Sequence, residues 1–166
     1  PKAIIVCNPS NPCGKVFTRE ELTEILGYAE KYDAFVITDE VYEHIVFPPY
    51  EHVAAASLPG GRSRVITCNS LSKTRACSPA TLFTCCQAAR TSSSAPVYAL
   101  CAAPPDVPDL AEGVKKVHDF LTVGAPAPLQ EAVCAGFTLG KDYYDGLTEM
   151  YSRKREIFCK GLDEIG

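Results

Sequence analysis

Three short runs of apolar, largely β-branched residues constrain this chain more than any other feature of its sequence. They fall within residues 2–7, 34–38 and 64–68, and a stretch with helical spacing at 18–31 separates the first two. Runs that are apolar at successive positions predict strands buried on both faces, which is typical of parallel sheets covered by helices. The sequence therefore predicts an α/β fold with a mostly parallel sheet flanked by helices.

Helix signals accompany these strands. Thr18 and Glu21 have the spacing of a capping box, in which each side chain accepts a hydrogen bond from the other residue's backbone amide. We expect a helix at 18–31 for this reason. Further helices, the last of them long and amphipathic, are predicted at 111–121, 129–139 and 142–165.

Charge and hydropathy narrow the possible functions. The chain has 16 Lys and Arg residues against 20 Asp and Glu, a net charge of −4, so it lacks the basic surplus that binds nucleic-acid phosphates. It contains no run of about 18 to 20 apolar residues, the length that a membrane helix needs. We expect neither nucleic acid nor membrane as a partner. A cytoplasmic protein is the expectation, with an organellar transit peptide upstream of Pro1 as the alternative.

The nine cysteines are distributed unevenly along the 166 residues. Their odd number, the absence of a CxxC pair and the absence of a nearby histidine cluster argue against a disulfide framework and a zinc site, so no metal is predicted. Four of them fall within residues 74–103, a stretch without Asp, Glu or Lys. Because the composition changes at both edges of this stretch, we interpret 74–103 as an aberrant segment.

Polar side chains collect after each predicted strand, where ligands bind in open parallel sheets. They are Asn8 and Asn11 after the first strand, Asp39, Glu40 and Tyr42 after the second, and Asn69, Ser70, Ser72 and Lys73 after the third. Together they offer a carboxylate, hydroxyls and an amine, groups that pyridoxal phosphate (PLP) requires. These residues leave three interpretations open: a PLP site, ordinary strand-end caps, and a nucleotide site. No glycine-rich phosphate motif supports the nucleotide site.

Four other titratable residues are interpreted as structural. The isolated histidines His44, His52 and His118 are predicted to be packing or surface residues. Glu40 is predicted to be a structural neighbour of Asp39 that points the other way at the strand end, because side chains alternate along a strand.

Three motifs in this region carry a family resemblance. NPSNPCG at 8–14, ITDEVY at 37–42 and NSLSK at 69–73 are similar, in order and spacing, to the active-site motifs of class I/II aminotransferases, the fold-type I PLP-dependent enzymes. The resemblance implies that residues 1–166 are an incomplete, central part of the PLP-binding large domain. It also implies that the helix at 142–165 leads toward a missing C-terminal domain.

The resemblance further implies a function. The family transfers an α-amino group from an amino acid to a 2-oxo acid, and its members are normally homodimers. By motif position, Lys73 would be the catalytic residue, which bonds covalently to PLP and then carries a proton during the reaction. Asp39 would pair with the pyridinium nitrogen and keep it protonated, since an opposite charge at close range favours the charged form.

The remaining cofactor contacts are implied in the same way. Tyr42 and Asn11 would hydrogen-bond the ring O3′, and Ser70 and Ser72 would contact the phosphate. Two alternative functions stay open at this point. One is a PLP-dependent lyase of the same superfamily, such as a β-lyase or an aminocyclopropane-carboxylate synthase, and the other is a truncated product without activity.

The sequence departs from the family pattern at two places. Cys13 stands where the family usually has Thr, and Thr81 stands where the family has an Arg that clamps the phosphate. No equivalent Arg motif occurs within 74–103. We expect this segment to derive from a retained intron or a frameshift.

Overall fold

The computed structural model of the chain describes residues 1–70, 73, 99–102, 109, 112, 113, 116, 117, 120 and 138–166. The elements whose ends are described are numbered here in chain order. They are β1 (Ala3–Cys7), α1 (Arg19–Lys31), β2 (Phe35–Asp39), a 3-10 turn (Ala55–Ser57), α2 (Gly61–Arg64), β3 (Val65–Ser70), β4 (Ala99–Ala102) and α3 (Lys141–Ile165).

The four strands form one sheet in the order β1-β2-β3-β4. β1, β2 and β3 run parallel, and β4 pairs with β3 in the antiparallel direction. The predicted mostly parallel sheet and its three parallel strands are therefore confirmed. β4 is an addition that the sequence analysis did not predict, and it lies inside the segment 74–103.

The register of the sheet fixes which strand ends meet. Asp39, the last residue of β2, pairs with Cys7 on β1 and with Cys68 on β3. Because the three strands are parallel, their carboxyl ends lie along one edge of the sheet.

One face of the sheet packs against α1 and forms the core. The buried residues of this core are Val6, Val36 and Val65 from the strands, Leu22, Leu26 and Ala29 from α1, and Ala55 and Leu58 from the connection between β2 and β3. On the opposite face the side chain of Ile5 is 72% exposed. Side chains alternate between the faces of a strand, so Thr38 lies on the α1 side, whereas Ile37 and Asp39 lie on the other side.

Helix α1 begins at the predicted capping box. The Glu21 amide donates to Thr18 Oγ1 at 3.3 Å, and the Thr18 amide donates to Glu21 Oε2 at 2.8 Å. Lys15 Nζ lies 2.6 Å from the other oxygen of Glu21. The helix ends at Lys31, and the observed range of Arg19–Lys31 confirms the predicted helix.

The connection between β2 and β3 contains a close backbone approach that requires glycine. A Cβ built on Gly61 would lie 2.3 Å from the carbonyl oxygen of Ala55, well inside van der Waals contact. The preceding residue, Gly60, has a φ of 77°, in the left-handed region that glycine favours. These two glycines let α2 pack directly against the 3-10 turn.

Helix α3 confirms the long helix predicted at 142–165. Its N-terminal half packs through Leu147, which is 3% exposed, whereas Ile157, Phe158 and Ile165 in its C-terminal half are 64%, 68% and 79% exposed. Within the described residues, no helix combines the length and the apolar composition that a membrane span requires.

The two shorter predicted helices fall mostly outside the described residues. Within 111–121, the described residues 112, 113, 116, 117 and 120 are helical. Residues 129–137 are not described, and residues 138 and 139 lie in a turn and in irregular backbone, so the helix predicted at 129–139 does not extend to its predicted end.

The capping box predicts a measurable loss of stability. We expect Thr18→Ala to lower the free energy of unfolding by about 1 kcal/mol, because the Glu21 amide loses its acceptor. Urea denaturation followed by circular dichroism measures this change. The exposed Thr23→Ala, in the same helix beyond its first turn, serves as the comparison, and an equal loss in both variants would contradict the capping role.

Glu21 also predicts a dependence on pH. The hydrogen bond from Lys15, followed by that from the Thr18 amide, lowers the pKa of Glu21. A lowered pKa in the folded state means that the ionised carboxylate stabilises the fold above the ordinary Glu value of about 4.3, and that this contribution disappears as the pH falls through the folded-state pKa. We therefore expect Glu21→Gln to destabilise the protein at neutral pH, and the difference from wild type to shrink below about pH 4. Urea denaturation at a series of pH values tests this, and a difference independent of pH would contradict it.

Candidate active site

Backbone hydrogen bonds join the residue after β1 to the end of β2, and the residue after β2 to β3. The Asn8 amide donates to the Asp39 carbonyl at 2.9 Å, and the Glu40 amide donates to the Cys68 carbonyl at 2.9 Å. Each bond continues the parallel pairing one residue beyond the end of a strand. These backbone contacts therefore hold the first residue of the first motif, the middle of the second motif and the residue before the third motif side by side.

Asn11 and Tyr42, for which the family resemblance implies one shared acceptor, lie in contact. Asn11 Nδ2 lies 3.4 Å from the hydroxyl oxygen of Tyr42, although 31 residues separate them in the chain. Both side chains line a cavity of about 500 Å³ between the segments that follow β1 and β2. Phe47 and Arg155 form part of the same wall, with the Arg155 guanidinium 5.3 Å from the centre of the Phe47 ring.

Tight turns hold these two side chains in place. The Ser10 amide donates to the Lys15 carbonyl, and the Gly14 amide donates to the Ser10 carbonyl, both at 2.8 Å, which closes the loop that carries Asn11. Gly14 has a φ of 67°, so this turn needs a residue that tolerates the left-handed region. Tyr42 lies in a turn closed by a 3.0 Å bond from the Glu43 amide to the Glu40 carbonyl.

Asp39 is half-buried at the end of β2, on the face of the sheet opposite α1. Its Oδ1 accepts a hydrogen bond of 3.3 Å from the Val41 amide, which orients the carboxylate. Its neighbours in register, Cys7 and Cys68, are also half-buried and have small side chains. The carboxylate therefore stands between two small neighbours on a face where the structure leaves part of its surface open to solvent.

The third motif is described only in part. Ser70 is the last residue of β3, Lys73 is helical and exposed, and Ser72 lies outside the described residues. Asn69 Nδ2 donates a 2.6 Å hydrogen bond to Glu43 Oε1, one residue beyond the second motif. The structure thus brings Asn11 and Tyr42 into contact and places Asp39 at the same end of the sheet. The cofactor contacts predicted for these three residues and for Ser70, Ser72 and Lys73 remain predictions.

Asn8, which the sequence analysis grouped with the strand-end polar residues, points into the protein. It is 1% exposed, its Nδ2 donates to the Val53 carbonyl at 3.3 Å, and its Oδ1 accepts from the Phe17 amide at 2.9 Å. Both polar atoms of the side chain amide are used in holding neighbouring loops. Asn8 is therefore a structural residue of the first motif, and Asn11 is the one that faces the cavity.

Glu40 and His52 form a buried pair that sequence reasoning did not find. Glu40 is 2% exposed, and its carboxylate accepts hydrogen bonds from the Ala55 amide at 3.3 Å and from His52 Nε2 at 3.1 Å. The interpretation of Glu40 as a structural neighbour of Asp39, and of His52 as a packing residue, is confirmed. Their partnership spans 12 residues of irregular backbone, so no periodicity in the sequence signals it.

These residues also include groups that bind metals in other proteins. Glu40, Glu43 and His52 each place one ligand atom within 4.8 Å of the others. However, the Glu40 carboxylate already accepts from His52 and Ala55, and Glu43 accepts from Asn69. These hydrogen bonds account for the proximity of the three side chains.

Cys13, the residue that departs from the family motif, has a thiol with a lowered pKa. Its Sγ lies 3.0 Å from the hydroxyl of Ser10, and the residue is exposed. The hydrogen bond with Ser10, followed by one with the backbone of Lys15, lowers the pKa of the Cys13 thiol. A lower pKa raises the fraction of thiolate, the reactive form, at neutral pH.

Comparisons with known proteins agree on one family. The family described as aminotransferase class I and II matches residues 1–166. The chain is 33% identical to the kynurenine–oxoglutarate transaminase of Dictyostelium discoideum over 99% of its length, and 47% identical over 73 residues to an aspartate aminotransferase of Pinus pinaster, 43% of this chain and 15% of that protein. The solved structure of N-succinyldiaminopimelate aminotransferase from Mycobacterium tuberculosis superposes with a TM-score of 0.80 at 30% identity, over 99% of this chain. The chain spans 34% of the Dictyostelium protein and 38% of the solved chain.

The contact between Ser10 and Cys13 predicts a change in thiol reactivity. We expect Ser10→Ala to raise the pKa of Cys13 toward its ordinary value, and so to slow its alkylation by iodoacetamide at about pH 7.5. Peptide mass spectrometry resolves the rate at Cys13 from that at the exposed Cys159, which serves as the internal reference. An unchanged ratio of the two rates would show that Ser10 does not act on the thiol.

Proposed function

The chain belongs to the class I and II aminotransferases, and we propose that it carries the cofactor-binding centre of an enzyme that transfers an amino group from an amino acid to a 2-oxo acid. The observation that carries this proposal is the contact between Asn11 and Tyr42 on the sheet edge that also bears Asp39. These are three of the residues that the motifs assign to PLP. Amino acids and 2-oxo acids are the proposed substrates.

The described residues fit the ring of PLP. Asn11 Nδ2 and the Tyr42 hydroxyl converge to 3.4 Å, so one acceptor oxygen such as the ring O3′ could receive hydrogen bonds from both. Asp39 offers a carboxylate, fixed by the Val41 amide, to a protonated ring nitrogen. When bound, PLP supplies an electron sink for the substrate carbanion. The residues of this chain would orient the ring and hold a proton on its nitrogen.

Lys73 is the proposed catalytic residue. It follows the end of β3 by three residues, and the carboxyl end of β3 lies beside that of β2, where Asp39 is placed. An amine at this position could bond covalently to the cofactor and later carry a proton at its Nζ. We propose phosphate contacts for Ser70 and Ser72 and a homodimeric assembly on the family resemblance. The cytoplasmic location expected from the sequence is also a proposal.

The segment 74–103 contains the position at which the family has its phosphate-clamping Arg. We propose that it derives from a retained intron or a frameshift, because it lacks acidic residues and lysine and has Thr81 in place of the phosphate-clamping Arg. Its residues Ala99–Ala102 nevertheless form β4 against β3. We expect a spliced transcript without most of this segment, which sequencing of the message tests. A mature message that encodes all of 74–103 would contradict the proposal.

The assignment of Lys73 predicts where PLP becomes attached. We expect that incubation with PLP followed by borohydride leaves a pyridoxyl group on Lys73, and that Lys73→Ala abolishes this adduct. Lys116→Ala is the matched control, since Lys116 is also an exposed lysine on a helical stretch. Peptide mass spectrometry locates the adduct. Equal labelling of the two variants would contradict the assignment.

A further inference from the structure

Every polar group of Glu40 has a partner. Its amide donates to the Cys68 carbonyl at 2.9 Å, and its carbonyl accepts from the Glu43 amide at 3.0 Å. Its carboxylate accepts from the Ala55 amide and from His52 Nε2. A carboxylate that is 2% exposed is stable only with such partners, because a buried charge without hydrogen-bond donors strongly destabilises the folded state. Glu40 is therefore fixed both in its backbone and in its side chain.

The fixed backbone of Glu40 determines the orientation of Asp39. The Asp39 carboxylate is oriented by the Val41 amide, and Glu40 is the single residue between them. The φ and ψ angles of Glu40, together with ψ and the side-chain dihedrals of Asp39, set where the Val41 N–H lies relative to the Asp39 carboxylate. If Glu40 rotates, Asp39 loses the donor that orients it.

The same residue determines the place of Tyr42. The bond from the Glu43 amide to the Glu40 carbonyl closes the turn that contains Tyr42. From this turn the Tyr42 hydroxyl reaches Asn11 Nδ2 at 3.4 Å. Glu40 therefore lies between two residues proposed to bind the cofactor, Asp39 directly before it and Tyr42 two positions after it.

A short segment on the α1 side of the sheet holds Glu40. This segment, residues 52–55, is called the strap here. It contacts Glu40 through His52 and Ala55, and it contacts Asn8 of the first motif through the Val53 carbonyl. The side chain of His52 is only 13% exposed. The strap therefore supports the first and second motifs together, from the face of the sheet opposite Asp39.

We propose that Glu40, held by His52 of the strap, is a positioning residue that sets Asp39 and Tyr42 for the cofactor. The role in cofactor binding rests on the proposed function, whereas the contacts of Glu40 with His52, Ala55 and Glu43 are observed. The buried Glu40 carboxylate lies on the α1 side of the sheet, opposite Asp39, with its oxygens bonded to His52 and Ala55. It acts through the backbone that joins Asp39 to Tyr42.

The test compares His52→Leu, which removes the donor to Glu40, with His52→Gln, which keeps a side-chain N–H that can reach it. The first readout is amide hydrogen exchange measured by NMR. We expect His52→Leu to speed exchange at the Val41 and Glu43 amides by about tenfold, with Leu26 of α1 unchanged. We expect His52→Gln to restore protection. Glu24→Gln, which removes an exposed carboxylate from α1, should change neither amide.

The second readout is binding of PLP, followed by absorbance over a range of pH. We expect His52→Leu to raise the apparent Kd for PLP about tenfold and to shift the pH midpoint of the cofactor band, and His52→Gln to behave as wild type. A wild-type protein that binds no PLP would overturn the proposed function, while the exchange data still decide whether Glu40 sets the turn.

Three results would overturn the positioning role. The first is unchanged exchange at Val41 and Glu43 in His52→Leu. The second is an equal increase in the exchange rate of the Leu26 amide, which would indicate a general loss of stability. The third is faster local exchange with unaltered binding of PLP. If His52→Leu does not fold, Glu40→Gln takes its place in the exchange and binding measurements. It keeps the side-chain volume and the acceptor for the Ala55 amide, but it loses the carboxylate oxygen that accepts from His52.

Discussion

A carboxylate with 2% exposure is stable in the protein interior only while hydrogen-bond donors surround it, and the end of β2 meets that requirement at Glu40. His52 and the Ala55 amide supply the donors. The path of the connection between β2 and β3 follows from this need, because the connection must return beneath the strand end to deliver both groups. The close approach of Gly61 to the Ala55 carbonyl belongs to the same arrangement, since a larger residue would push the 3-10 turn away.

The sheet consequently has two faces with different tasks. The α1 face carries the apolar core and the buried polar contacts of Asn8 and Glu40. The opposite face carries Asp39, and Ile5 there is largely exposed. Because side chains alternate along a strand, adjacent residues of the second motif serve opposite faces: Asp39 faces the proposed cofactor and Glu40 the interior. A shift of one residue in register would exchange these roles.

Much of this arrangement could be predicted from the sequence where the signals are local. The apolar runs gave three strands, and Thr18 with Glu21 gave the start of α1. The rule that parallel strands present their carboxyl ends together predicted that the polar residues after the three strands would collect at one end of the sheet. The shared acceptor predicted for Asn11 and Tyr42 came from the family resemblance. The roles of Asp39 and Lys73 needed the family resemblance, because a carboxylate or an amine at a strand end has many uses. The pair of Glu40 and His52 could not be predicted, since it depends on the path of an irregular connection. β4 was not predicted, because its four residues lie in a stretch without clear periodicity.

The placement of the strap has an evolutionary consequence. Support for Asp39 and Tyr42 comes from beneath the sheet, so substitutions on the open side leave that support intact. A lineage could therefore alter the surface that meets the substrate while inheriting the cofactor-holding geometry unchanged. The constraint on such divergence would then fall on residues that never meet a substrate, among them a glutamate, a histidine and a glycine in the connection after β2.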